Sequence, residues 1–189
     1  MNVISGKYKG LKLNTLEGMN TRPTLTRIKE DAFNIIDNYF IFEGKKSLDI
    51  FGGSGALTIE GLSRGISFGI INDYSRDAIK VIKSNLAKTK STNWEIHNKD
   101  YLELLDFLCF KHEKFDLVYM DPPFAKIESY AQVFTKLLEL NLLNNWAVIM
   151  IESEMPLNEE VISQFKLLKY KDYNKKHLYI IRLENKDEE

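Results

Sequence analysis

Residues 118–124, Val-Tyr-Met-Asp-Pro-Pro-Phe, set a carboxylate, a carbonyl and an aromatic ring side by side. Phe115–Met120 is an apolar, β-prone run. Pro122 and Pro123 end it, because proline has no N–H to give to a ladder and its ring fixes φ. Asp121 is therefore expected at the carboxyl end of a strand, followed by a rigid turn and the ring of Phe124. The Asp121 carboxylate and the Pro122 carbonyl can accept the two hydrogens of an amino group on a planar base. Phe124 can stack on the same base. Holding those hydrogens localises a lone pair that is otherwise delocalised into the ring. Asp121 can also take the proton released when a new N–C bond forms. These residues point to chemistry on a nucleobase nitrogen. A strand–turn with a capping Asp and a buried Phe would use the same residue types.

A second constellation lies upstream. Leu48-Asp49-Ile50-Phe51-Gly52-Gly53-Ser54-Gly55 reads as a strand running into a glycine turn and a helix start. Glycine lets a backbone approach a ligand without a Cβ clash, and a helix start presents free N–H groups. Asp73 ends the next strand, 18 residues after Gly55. In a doubly wound sheet that position lies beside a cofactor ribose, where a carboxylate accepts from both hydroxyls. Asp100 ends the third strand and can accept from an adenine amino group, with Tyr101 or Leu102 covering the ring. Helix capping is the competing role for Asp73, Ser75 and Asp100. Acids at three successive strand ends line one carboxyl edge, where such folds hold ligands.

The ligand that fits is S-adenosylmethionine, which carries an adenosine and no pyrophosphate. Phe51, Gly52, Gly53 and Gly55 would border it. Asp49 would face its methionine end directly or through water, unless it is paired locally. A dinucleotide fits less well: from Gly53 the run Gly-Ser-Gly-Ala-Leu-Thr misses the third small residue of G-x-G-x-x-G/A.

Strands alternate with helices along the chain. This implies an α/β fold, a doubly wound, mostly parallel sheet with helices on both faces and an antiparallel C-terminal edge. Strands are expected at Ser47–Phe51, Phe68–Asn72, Trp94–His97, Phe115–Met120, Trp146–Ile151 and Leu178–Leu183. Two short strand-like pieces, Val3–Ser5 and Leu11–Leu13, open the chain. A helix with an apolar stripe of Ile28, Ala32, Ile36 and Phe40 follows, capped by Thr24 or Thr26. Further helices are expected at Ala56–Arg64, after Asp73 with Ile79, Ile82 and Leu86, at Tyr101–Phe110, at Glu128–Leu140 and near Asn158–Phe165.

The 189 residues suit one domain, with residues 1–40 as a short β/helix extension. The single cysteine, Cys109, cannot form an internal disulfide, which fits the cytoplasm. No signal pattern and no uncharged bilayer-length run is present. His97, His112 and His177 lack metal-ligand spacing, so no metal is expected. Net charge is −1, but residues 1–30 carry +4 and 166–182 carry +5 around an acidic middle. Lys7, Lys9, Lys12, Arg22 and Arg27 are the candidates for phosphate contacts, with Lys171, Lys175, Lys176 and His177 as a second patch.

With both motifs placed, the chain resembles the bacterial 16S ribosomal RNA guanine-N2 methyltransferases, the RsmD-like family. The resemblance covers nearly the whole chain. It rests on Ile4-Ser5-Gly6-Lys7-Tyr8-Lys9-Gly10, Arg22-Pro23-Thr24, Arg27-Ile28-Lys29-Glu30 with Phe33-Asn34, Leu48–Leu57, Leu62-Ser63-Arg64-Gly65 and Asp121–Phe124. It implies a class I, S-adenosylmethionine-dependent methyltransferase that methylates one guanine amino group of rRNA in an assembling small subunit; nothing in the sequence suggests more than a monomer. Three departures stand out. Gly53 replaces a more usual alanine, Asn72-Asp73 replaces Val-Glu, and the chain is less basic than the family. A DNA adenine or cytosine N-methyltransferase shares Asp-Pro-Pro-Phe, but no segment here is long enough for target recognition. The intact Asp121 and glycine turn argue against a non-catalytic rRNA-binding factor, and the misfit to G-x-G-x-x-G/A argues against a nicotinamide enzyme.

Overall fold

The structure is a computed structural model, and it describes residues 1–16, 23–123 and 127–184. Arg22 and Phe124 lie outside the described residues. The elements run α1 (Pro23–Ile36), β1 (Lys46–Asp49), α2 (Ala56–Arg64), β2 (Phe68–Asn72), α3 (Arg76–Thr89), β3 (Trp94–His97), α4 (Tyr101–Phe110), β4 (Phe115–Met120), α5 (Ile127–Glu139), β5 (Leu143–Ser153), α6 (Glu159–Ile162), β6 (Lys166–Asp172) and β7 (His177–Arg182). One seven-stranded sheet has the order β3-β2-β1-β4-β5-β7-β6. The first five strands are parallel, and β7 pairs antiparallel with both β5 and β6. The expected doubly wound sheet with an antiparallel edge is met.

Alternation along the buried strands builds two cores, one on each face. Val118 and Met120 point to α4 and α5, where they join Leu104, Leu108, Val133 and Leu137. Leu117 and Tyr119 point the other way and pack with Ile28, Phe33, Ile59 and Ile82 of α1, α2 and α3. The chain reverses direction across the sheet between β1 and β4, which are neighbours in space but far apart in sequence. A crevice at the carboxyl ends follows from that switch.

Several boundaries differ from those expected of the sequence. α1 stops at Ile36, so Phe40 is not part of its stripe; it packs edge-on against Phe42 at 5.2 Å instead. The opening segment forms a hairpin with a single bridge, Asn2 to Lys12, rather than two strands. β6 had no sequence signal: KLLKYKD is exposed on most of its length, as a lysine-guarded edge strand can be. Among the described residues, no helix is long and apolar enough to cross a membrane.

Candidate functional site

The glycine turn after β1 is shaped by close approach. A Cβ on Gly52 would lie 2.6 Å from Ile71 Cγ1, and the Gly52 N–H donates to the Asn72 carbonyl at 2.7 Å. Gly55 is the α2 N-cap at φ 79°, left-handed backbone that suits glycine. Buried Asn72 ties three strand ends together. Its Nδ2 donates to Ile50 and Lys99 carbonyls, both at 3.1 Å, and its Oδ1 accepts from Lys99 N at 3.0 Å. Asn85 on α3 does the same for the loop and the N-terminal arm, donating to Ser54 O at 2.8 Å and Asn14 O at 2.9 Å.

A cleft of about 600 Å³ opens at this carboxyl edge. Phe51, Gly52, Gly53, Asp73, Asp100, Tyr101, Asp121 and Pro122 all border it, so residues spread over 72 positions of sequence meet at one cavity. Asp73 accepts from Gly53 N at 2.9 Å with one oxygen and from Ser75 N at 2.8 Å with the other. Ser75, not Asp73, caps α3. Asp100 caps α4 through Leu102 N at 2.9 Å and borders the cleft as well, so its capping and site roles coexist. The Tyr101 ring lies 5.5 Å from that of Phe51.

Two of the expected residues do not reach the cavity. Asp49 is 1% exposed and accepts from Thr58 Oγ1 at 3.0 Å, beneath the glycine turn. Its carboxyl is pushed up to about 7 by burial, against the Thr58 hydroxyl bond and with the Asp121 and Asp73 charges adding to the push. The local pairing, not a direct contact with the cavity, is what the structure shows. Gly55 faces Ile71 and Ile82 and serves the turn.

Asp121 has company that its motif does not reveal. Lys176 Nζ lies 3.1 Å from Asp121 Oδ1 and 3.8 Å from Glu152 Oε2. Burial raises the Asp121 carboxyl; Lys176 opposes this and Glu154 adds to it. Glu152 is raised well above the usual carboxylate range by burial and then by Asp121. Glu152 was legible: it follows the apolar run Ala147–Ile151, by the same strand-end logic as Asp121. Tyr74, exposed at the cleft rim, follows Asp73 directly. Lys176 had no local signal.

The second basic patch is redistributed. His177 is buried and stacks on Tyr170 with an interplanar angle of 5°. Lys171 pairs with Asp31 of α1 at 3.1 Å, and Tyr173 donates to the same carboxylate. Of that patch, Lys175 is exposed, Lys171 and Lys176 are half-buried and His177 is buried. Arg27, one turn before Asp31, is exposed on the helix whose Leu25 and Lys29 border the cleft. Lys7 donates its N–H to Ser63 O at 2.8 Å, at the C-terminal end of α2. That is roughly 10 Å along the helix from the glycine turn. Lys9 sits in the same hairpin tip, and its N–H donates to Gly6 O at 3.2 Å.

Residues 1–182 match the family described as Conserved hypothetical protein 95. The ribosomal RNA small subunit methyltransferase D of Buchnera aphidicola (subsp. Baizongia pistaciae) is 36% identical over 159 residues, 83% of this chain and 78% of that one. Its Escherichia coli K12 namesake is 32% identical over 161 residues, 81% of this chain and 74% of that one. An RNA methyltransferase from Salinibacter ruber, solved with S-adenosyl-L-homocysteine, shares the fold at a TM-score of 0.63 and 12% identity, covering 90% of this chain and 97% of that one. The motifs, the strand order and these relatives agree: the chain belongs to the ribosomal RNA small subunit methyltransferase D family.

Proposed function

We propose that the protein transfers a methyl group from S-adenosylmethionine to the exocyclic N2 amine of a guanine in 16S rRNA of the small subunit. One observation carries this reading. Asp121 and Pro122, at the end of β4, border the same cavity as the glycine turn, Asp73 and Asp100 at the ends of β1, β2 and β3. The family relationship supports methyl transfer to rRNA.

The residues present fit that cofactor. The volume is that of a small-molecule site. Each Asp73 oxygen holds one backbone N–H and keeps a lone pair for a ribose hydroxyl. Asp100 would hold the adenine amino group, with Tyr101 and Phe51 as apolar floor and Tyr74 at the rim. The turn Gly52–Ser54 would border the methionine end. Asp49 acts there through its field rather than by contact. When bound, S-adenosylmethionine supplies an electrophilic methyl carbon on a sulfonium.

The remaining work belongs to this chain's own groups. Asp121 and the Pro122 carbonyl accept the two N2 hydrogens and aim the lone pair, and Asp121 receives the surplus proton. Phe124, outside the described residues, stacks on a base extruded from its helix or presented in a loop. Residues 1–40 supply phosphate contacts, Arg27 beside the cleft and Lys7 and Lys9 further along the RNA, with Arg22, outside the described residues, as a further candidate. The protein works as a monomer in the cytoplasm, where small subunits assemble.

The test is methyl transfer from labelled S-adenosylmethionine to small subunits lacking the modification, followed by nucleoside analysis. The wild-type protein is expected to yield N2-methylguanosine, and Asp121→Ala to lose about 10²–10⁴-fold in rate. Absence of label would leave an RNA-binding factor, and label in duplex DNA would make it a DNA enzyme. Either result overturns the reading.

A further inference from the structure

Three elements bring charge to one corner of the cleft. Asp121 follows β4, Glu152 lies near the carboxyl end of β5, and Lys176 comes from the tight turn between β6 and β7. That turn is anchored. Tyr173 N donates to Lys176 O at 2.8 Å, Asn174 N donates to Asp172 Oδ1 at 2.7 Å, and Asn174 takes φ 66°. The Tyr173 hydroxyl and the Lys171 ammonium both donate to Asp31 on α1. The backbone beneath Lys176 is thus pinned to a helix across the sheet face, and its ammonium reaches inward with 22% of the side chain exposed.

We propose that Lys176 is a positioning residue for Asp121: it takes Oδ1, holds the group as a carboxylate, and leaves Oδ2 to accept from the target amine. This rests on the reading that Asp121 binds that amine. No hydrogen bond among the described residues engages Oδ2. A protonated Asp121 would present a donor where an acceptor is needed, so its charge decides whether the amine can dock.

Among the described residues, the other carboxyl groups that face Asp121 work against that charge. Glu152 comes from β5, Glu154 from the segment after it and Asp49 from β1, while the Tyr130 hydroxyl of α5 stays neutral. Among the described residues, Lys176 is the cation paired with Asp121. Burial pulls its ammonium down, but Asp121 and Glu152 more than restore it, so it stays charged. Glu152, with 6% of its side chain exposed, holds the ammonium from the far side. Once Asp121 has received the proton from N2, the adjacent ammonium also favours its release to solvent, which readies the carboxylate for the next turnover.

The experiment compares wild type, Lys176→Met, Lys176→Arg and Glu152→Gln in the same transfer assay from about pH 5.5 to 9. Calorimetric binding of S-adenosylhomocysteine reports whether each variant keeps its cleft. Lys176→Met is expected to lower kcat about tenfold to a hundredfold at neutral pH, with KM for the subunit within about twofold. Its acid limb moves to higher pH, so the deficit shrinks as pH rises. Lys176→Arg keeps the wild-type limb. Glu152→Gln moves the limb the other way, to lower pH, which gives a second reading if Lys176→Met folds poorly. A Lys176→Met limb unchanged from wild type, whether the rate is normal or depressed equally at all pH, overturns the inference, as does a Glu152→Gln limb that is unmoved or moves to higher pH. Failure of wild type to methylate would instead sink the reaction assignment, and this inference with it.

Discussion

Lys29 Nζ of α1 and Glu60 Oε2 of α2 lie 3.0 Å apart with 2% and 0% of their side chains exposed. Glu60 also accepts from Ile4 N, Ser5 N and Arg64 Nε, and Lys29 also donates to Asn2 O. One buried carboxylate therefore ties the N-terminal hairpin, α1 and α2 together behind the cleft. Truncating it leaves an ammonium with little access to water. Glu60→Ala is expected to cost about 3–5 kcal/mol, read as a lowered urea midpoint.

Gly52 is the steric limit of the cofactor turn. Gly52→Ala puts a methyl 2.6 Å from Ile71 Cγ1 at a point where the backbone is also bonded to Asn72 O. The turn must lift. The expected outcome is a stability loss of about 1–3 kcal/mol together with loss of S-adenosylhomocysteine binding by calorimetry.

Asp73 both organises the turn and faces the cavity. Asp73→Ala frees the Gly53 and Ser75 N–H groups and removes the proposed ribose acceptor. Affinity for S-adenosylhomocysteine is expected to fall about tenfold to a hundredfold. Asp73→Glu, one methylene longer, is expected to fall between wild type and the alanine variant.

Asp49 predicts a pH dependence of stability. Its carboxyl sits at about 7 in the fold, above the ordinary carboxylate value, chiefly because it is buried. A group raised in the folded state contributes stability at low pH, and that contribution is lost as pH climbs through its folded value. Wild type should therefore lose stability from this group between the ordinary carboxylate range and about pH 7. Asp49→Asn should flatten that slope, which urea titrations at mildly acidic and mildly alkaline pH will show.

Arg27 separates RNA contact from cofactor binding. Arg27→Gln is expected to raise KM for the small subunit and to lower the slope of log affinity against log salt by about one. S-adenosylhomocysteine binding should not change.

Much of the fold was legible because its signals are local. Apolar runs bounded by glycine and acidic residues placed β2, β3, β4 and α2 at their observed limits. The site followed from the rule that ligands gather at the carboxyl ends of parallel strands, so Asp73, Asp100, Asp121 and the glycine turn could be assembled from strand ends alone. What escaped had no period to read. β6 is exposed on both sides and keeps no alternation. Phe40 continues a spacing of four that the chain itself breaks at Ile36.

Residue type and spacing alone determined the fold class, the family and the strand-end residues of the cavity such as Asp73, Asp100 and Asp121, because strand-end acids, glycine turns and proline stops act through the backbone next to them. Tertiary structure alone decided where the charges go. It buried Asp49 on Thr58 and His177 beside Tyr170, paired Lys171 with Asp31, and set Lys176 against Asp121 across 55 positions of sequence. A long side chain on a turn takes its direction from the elements packed around it. Here those are α1 and the ends of β4 and β5, none of them adjacent to Lys176 in the chain.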